Sequence, residues 1–155
     1  GNVMHPFYAD LYERFEGLLR DLWAALDGLP DEALDWSPAP DMNSLTVLVV
    51  HVAGATRYWA GDVAYGDISH RDRAAEFAAR GLPREALRQH IDDVLAYLRA
   101  RFESATRDSL SDERPAPGRD KTYTQGWAIL HALEHIAVHV GHAQITRQLW
   151  FMRPL

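Results

Sequence analysis

Apolar side chains recur along this chain at the three-to-four spacing of amphipathic helices, and four long stretches carry the pattern. In the first, from Pro6 to about Leu26, Phe7, Leu11, Phe15, Leu18, Leu22 and Leu26 form the apolar stripe, with Asp10, Glu13, Arg14 and Arg20 in the gaps. Gly28 and Pro30 end that helix, the one by accepting a left-handed cap and the other because it cannot continue the ladder. Prolines dominate the next segment, PDEALDWSPAPD, which predicts a loop with one helical turn at Asp31 to Leu34 and with Trp36 pinning it to the body. Asn43 or Ser44 caps the second helix, LTVLVVHVAGATRYWAGDVA, where the helical pattern outlasts the local β-propensity of TVLVV. The charged piece HRDRAAEFAAR predicts a short surface helix that shields the mouth of the bundle. A third long helix opens near Pro83, runs to about Ala105 and buries Leu87, Ile91, Val94, Leu98 and Phe102. After the turn-rich connection DSLSDERPAPGRD, Thr122 and Gln125 have the spacing of a capping box and open the fourth helix.

These elements predict an all-α fold, an antiparallel four-helix bundle whose long crossings leave room for up-down-down-up wiring. A single domain over residues 1–155 is expected, with residues 1–4 read as a tag remnant and a disordered start. Glycines inside helices, Gly54, Gly126 and Gly141, imply close helix contact or room for a ligand. The chain has no cysteine, which removes disulfides, thiolate ligands and a protein-borne thiol nucleophile, and which fits a cytoplasmic protein. A formal charge of −6 and a pI near 5.7 argue against a general affinity for nucleic acid or anionic membrane. No apolar run approaches the roughly 18 residues that a membrane span requires.

The candidate chemistry lies in WAILHALEHIAVHVGHAQITRQLW, residues 127–150. At about 100° per residue, His131, His135, His139 and His142 fall within an arc of about 80° on one helical face. Trp127, Val138, Ile145 and Leu149 share that wall and are expected to face the core, so the histidines are expected to be buried with them. Buried imidazoles need partners, and neutral nitrogens converging on a cation would satisfy several at once. An i, i+4 pair such as His135 and His139 grips one ion and needs a third donor from another helix. His51 is the only histidine elsewhere that sits mid-helix in an apolar stripe, whereas His5, His70 and His90 read as surface residues. His142 is positioned to replace His139, to touch a substrate or to act as general base, and Glu134 to orient a ligand imidazole or simply to be solvated. His131 reads as a packed histidine, and Tyr58 lies two turns from His51 on nearly its face. HALEH, residues 131–135, matches the inverted zinc-protease motif H-x-x-E-H, but only 20 residues follow it, too few for a distant ligand and a substrate-binding subdomain.

Two segments, LPDEALDWSPAPDMNSLTVLVVHVAGATRYW with its mid-helix histidine and HIAVHVG with its H-x-x-x-H-x-G pattern, make the sequence resemble the DinB-like, or DinB/YfiT-type, metalloproteins. The branch with mycothiol- and bacillithiol-dependent transferases is the most similar. The resemblance implies an up-down-down-up four-helix bundle, often a homodimer, holding a nickel- or zinc-type ion on His51, His135 and His139. It further implies a metal-dependent enzyme that activates a low-molecular-weight thiol, or water, for transfer to an electrophilic small molecule. His142, with Glu134 or Tyr58 behind it, would handle the proton. His142 follows Gly141 where many relatives place Gln, so the group beside the metal differs here. The competing expectation is a non-catalytic bundle, stapled by its ion, with a stress-response or ligand-binding role. DNA binding is disfavoured by the acidic balance and the lack of a basic stripe.

Overall fold

The computed structural model describes residues 3–155, so the expected remnant at Gly1 and Asn2 lies outside the described residues. Four long helices form a bundle: α1 (Pro6–Ala24), α3 (Leu45–Arg57, continued by a π-helical turn, Tyr58–Val63), α5 (Arg84–Glu103) and α6 (Gln125–Met152). Short helices α2 (Asp31–Leu34) and α4 (Arg73–Phe77) lie in the crossings. Each of α1 and α3 packs against both α5 and α6. Contacts at the helix ends set the directions. Arg84 at the start of α5 donates to Leu26 O beyond the end of α1, Arg147 near the end of α6 donates to Ala25 O, and Gln125 at the start of α6 donates to Ala64 O beyond α3. Helices α1 and α6 therefore run one way and α3 and α5 the other.

Local chemistry explains the boundaries. The His5 Nδ1 accepts from Phe7 N at 3.1 Å to cap α1 ahead of Pro6, and Gly28 takes the left-handed conformation (φ 72°) that follows it. Ser44 Oγ caps α3 by accepting from Val47 N at 3.1 Å. The cap of α6 is Thr124, the last residue of the preceding strand, which accepts from Trp127 N at 3.1 Å, and not Thr122 at that strand's start. Gln125 does not reach back to close a capping box, because its buried side chain joins Ser109 and Ala64 O instead.

The core is centred on Tyr8, Phe15 and Phe102, with Leu19, Leu22, Leu48, Leu87 and Leu98 around them. Helix α5 buries the five residues its spacing predicts. In α1 the buried stripe is shifted towards Tyr8, Tyr12 and Leu19, leaving Phe7 exposed, because a tyrosine buries its ring once its hydroxyl finds an acceptor, as Tyr8 does at Thr106 O. Trp36 does anchor the proline-rich loop, edge-on to Trp150. The connection before α6 holds a two-stranded hairpin, β1 (Glu113–Pro115) against β2 (Thr122–Thr124), which the periodicity did not predict.

Candidate metal centre

Helices α3 and α6 run antiparallel and bring His51 against His135 and His139. The Nε2 atoms of His51 and His135 stand 3.0 Å apart and those of His135 and His139 3.2 Å, and one ligating atom from each of the three lies within 4.8 Å of the others. His51 is buried at 4% exposure. The histidine wall does not face the core, however. The core stripe of α6 is Ala128, Ile129, Ala132, Ile136, Val140 and Ala143, whereas Trp127, Val138 and Ile145 are exposed. His131, His135 and His139 are half-buried on the flank of that stripe, and His142 is exposed.

The proton arrangement tests whether these nitrogens fit an ion. His51 Nδ1 faces the Glu76 carboxylate at 2.9 Å, an acceptor, so in the neutral imidazole Nδ1 carries the hydrogen and Nε2 presents a lone pair. Three Nε2 atoms meeting at one point cannot all be joined by the single proton that His135 could place there, and the buried Nδ1 of His135 has no partner. A cation satisfies all three lone pairs together, and donors about 2.0–2.1 Å from a tetrahedral ion stand about 3.3 Å apart, close to the spacing of the two adjacent pairs. The electrostatics agree. Burial, and then the neighbouring imidazoles, push His135 down to about 3 and His139 to about 4, so both are neutral and available as ligands at pH 7.

A second layer of residues orients this layer. Helix α4, the predicted surface shield, contributes Glu76, which is 5% exposed. Its carboxylate accepts one hydrogen bond from His51 Nδ1 and two from Arg71, each 2.9 Å. Burial alone would raise the Glu76 pKa, but the hydrogen bonds from His51 and Arg71 and the Arg71 charge bring it below the ordinary carboxylate value. Phe77, next in the helix, packs on the His51 ring at 4.5 Å between centroids. Gly54 makes the arrangement fit, since a Cβ there would stand 2.1 Å from Glu76 Oε2. On the other flank His142 Nδ1 lies 3.1 Å from His139 Nδ1, the nitrogen turned away from the triad.

A cavity of about 360 Å³ opens beside the three histidines, walled by Trp59, Phe77, His131, Arg71, Arg73 and Arg119. A larger one, about 420 Å³, lies on the far side of Glu76 and touches none of the triad, so the chemistry belongs to the smaller. His131 stacks on Trp127 (4.7 Å, 12°) and meets Trp59 edge-on, and burial lowers its pKa, aided by Arg119 and opposed by Glu134. Glu134 is exposed and stands 3.8 Å from His131 rather than beside the triad. The Tyr58 hydroxyl donates to Pro117 O at 2.6 Å, tying the hairpin loop to the bundle. Sequence reasoning missed Glu76, Arg71 and Trp59. Glu76 sits in a run of charges where nothing local marks one carboxylate as buried.

The fold and the site together define a class: a four-helix bundle with a tri-histidine centre between two of its antiparallel helices. The chain belongs to the DinB superfamily, whose model matches residues 14–143. Its fold is similar to a conserved protein from Enterococcus faecalis (TM-score 0.70, 17% identity, covering 92% of this chain and 96% of that one). It is also similar to a DinB family member from Shewanella denitrificans (TM-score 0.62, 21% identity, 92% and 86% covered). No curated protein matches the chain.

Proposed function

We propose that this protein holds a divalent transition metal, nickel or zinc, on His51, His135 and His139 and activates a low-molecular-weight thiol, or water, for attack on an electrophilic small molecule. The reading is carried by the meeting of three imidazole Nε2 atoms from two helices at the edge of a small-molecule-sized cavity. Bound there, the ion would supply a coordination position that lowers the pKa of a thiol or water towards neutrality.

The chain's own residues do the rest. Glu76 fixes the tautomer of His51 by accepting from its Nδ1, and His142 stands against the outer Nδ1 of His139. His142, the proton carrier of this reading, lines the neighbouring cavity with Ile145 and Thr146, and the Tyr58 hydroxyl is engaged by Pro117 O. Trp59, Phe77 and His131 supply the aromatic walls beside the triad. The absence of cysteine fits a nucleophile delivered from outside. No helix among the described residues is long and apolar enough to cross a membrane. A homodimer accords with the exposed apolar residues Trp127, Leu130, Val138 and Ile145 along α6.

Metal content by plasma emission spectroscopy tests the reading first. Near-stoichiometric metal in the wild type and most of it lost in His139→Ala is expected, and equal content in both would end the proposal. Thiol conjugation assays with several cosubstrates follow. A site whose fourth ligand does not exchange with added thiol would favour the metal-stapled, non-catalytic bundle.

A further inference from the structure

Charge is distributed unevenly around the histidine cavity. The chain carries 22 acidic residues against 16 lysines and arginines, yet three arginines and no acidic residue line this cavity. Arg71 is neutralised from behind by Glu76. Arg73 and Arg119 are not: among the described residues no carboxylate stands within ion-pair distance of either. Both are nonetheless held in place. The Arg73 guanidinium lies over the Phe77 ring at 4.8 Å, and that of Arg119 over Trp59 at 4.9 Å and Tyr58 at 5.9 Å. Stacking on a ring holds a guanidinium through its face and leaves the N–H fork along its edge free.

The two cations also come from separate devices. Arg73 opens α4, the helix that supplies Glu76 and Phe77 to His51. Arg119 sits in the loop between β1 and β2, which is anchored by the Tyr58–Pro117 hydrogen bond and by the buried Ala116, whose carbonyl accepts from Arg119 N at 3.0 Å. The fold thus places two unpaired forks at one mouth, beside aromatic surface and the histidines. An exposed arginine is ordinarily a solvated surface group. Two that share a cavity free of carboxylates, in an acidic protein, call for a ligand of opposite sign.

We infer that Arg73 and Arg119 form an oxyanion-recognition site, and that the ligand of the histidine cavity is a small molecule bearing a carboxylate or phosphate group. The inference deepens the proposed function and rests on it for one point only, that the reacting end of the ligand lies at the triad. The anionic end binds the arginine forks through charge-assisted hydrogen bonds, and the body of the molecule lies against Trp59, Phe77 and His131. No carboxylate lines the cavity to pair with an organic cation.

The test is calorimetric titration with benzoate, phenyl phosphate, inorganic phosphate and the neutral benzyl alcohol, on metal-loaded and on chelator-treated protein. At least one anion is expected to bind while benzyl alcohol does not, and benzoate against phenyl phosphate separates the two oxyanions. Arg73→Gln and Arg119→Gln should each weaken anion binding about tenfold, the effect of losing a charge-assisted hydrogen bond. Arg99→Gln, which removes a guanidinium stacked on Tyr12 away from the cavity, should leave it unchanged. All three replaced side chains are exposed, so the variants should fold, which their melting temperatures will verify. Anion binding that is equal in wild type and in the Arg73→Gln, Arg119→Gln double variant overturns the inference, as does failure of every anion to bind or equal binding of benzyl alcohol. If metal loads stoichiometrically but the arginines do not matter, this inference fails alone. If arginine-dependent anion binding persists in a protein that takes up no metal, the metal reading fails alone.

Discussion

Of the residues at the centre, His51 was legible and its partner was not. A lone histidine inside LTVLVVHVAGA has no reason to be there unless its ring is satisfied from another element, so it stands out from its neighbours. Glu76 differs in sequence from nothing around it, and its burial follows only from the path that lays α4 across the middle of α3. That burial has a price in desolvation, offset by two hydrogen bonds from Arg71, one to each oxygen, and by the His51 N–H. Replacing Glu76 with alanine leaves Arg71 unpaired and frees the His51 ring to turn. Metal affinity is expected to fall by about 10- to 100-fold, the usual effect of losing an outer-shell partner. A competition titration against a chromophoric chelator reads this directly. Unchanged affinity would show that Glu76 stabilises α4 without positioning the ligand.

The helices were more legible than the faces they present. Stripes of Leu, Ile and Phe against charged residues set α5 without ambiguity. In α6 the apolar residues run nearly all round, so periodicity could not choose between the side with Val138 and Ile145 and the side with Ala128, Ala132, Ile136 and Ala143. The second is buried because small residues allow α1 and α3 to approach closely on both sides, and the histidines therefore lie at its edge, open to the cavity. The hairpin escaped because its strands are three residues each and one ends in proline, too short for an alternation to show. Its attachment is testable. Tyr58→Phe removes the hydrogen bond to Pro117 O and is expected to cost about 1 kcal/mol in thermal unfolding, with metal content unchanged. A loss of activity with no loss of stability would instead place the Tyr58 hydroxyl in proton transfer.

For the bundle as a whole, the centre couples stability to both pH and metal. In the metal-free protein, burial first and the neighbouring imidazoles second hold His135 at about 3 and His139 at about 4, against an ordinary value of 6.5. Below 6.5 the unfolded chain therefore accepts protons that the folded chain refuses, and excess proton binding by the unfolded state makes stability rise with pH. This contribution is intact above pH 6.5 and is lost as the pH falls from there towards 4 and then 3. Metal acts in the same direction, because its ligands must be neutral, and with His135 held at about 3 and His139 at about 4 it should leave only as the pH falls towards 4. Joined to α3 and α6 at once, an ion at 100 times its Kd adds about 2.7 kcal/mol, or roughly 5–10 °C in melting temperature for a chain of this size. Scanning calorimetry should accordingly show a metal-dependent rise at pH 7.5 in the wild type and none in His51→Ala. At pH 5 both curves should lie lower than at pH 7.5 with the metal-dependent rise retained, and near pH 3 the two should coincide. A metal-dependent rise that persists at pH 3 would mean that the ion is held by groups other than imidazoles. A metal-free melting temperature that stays level from pH 7.5 to 4.5 would mean that the histidines are not neutral and buried as the bundle places them.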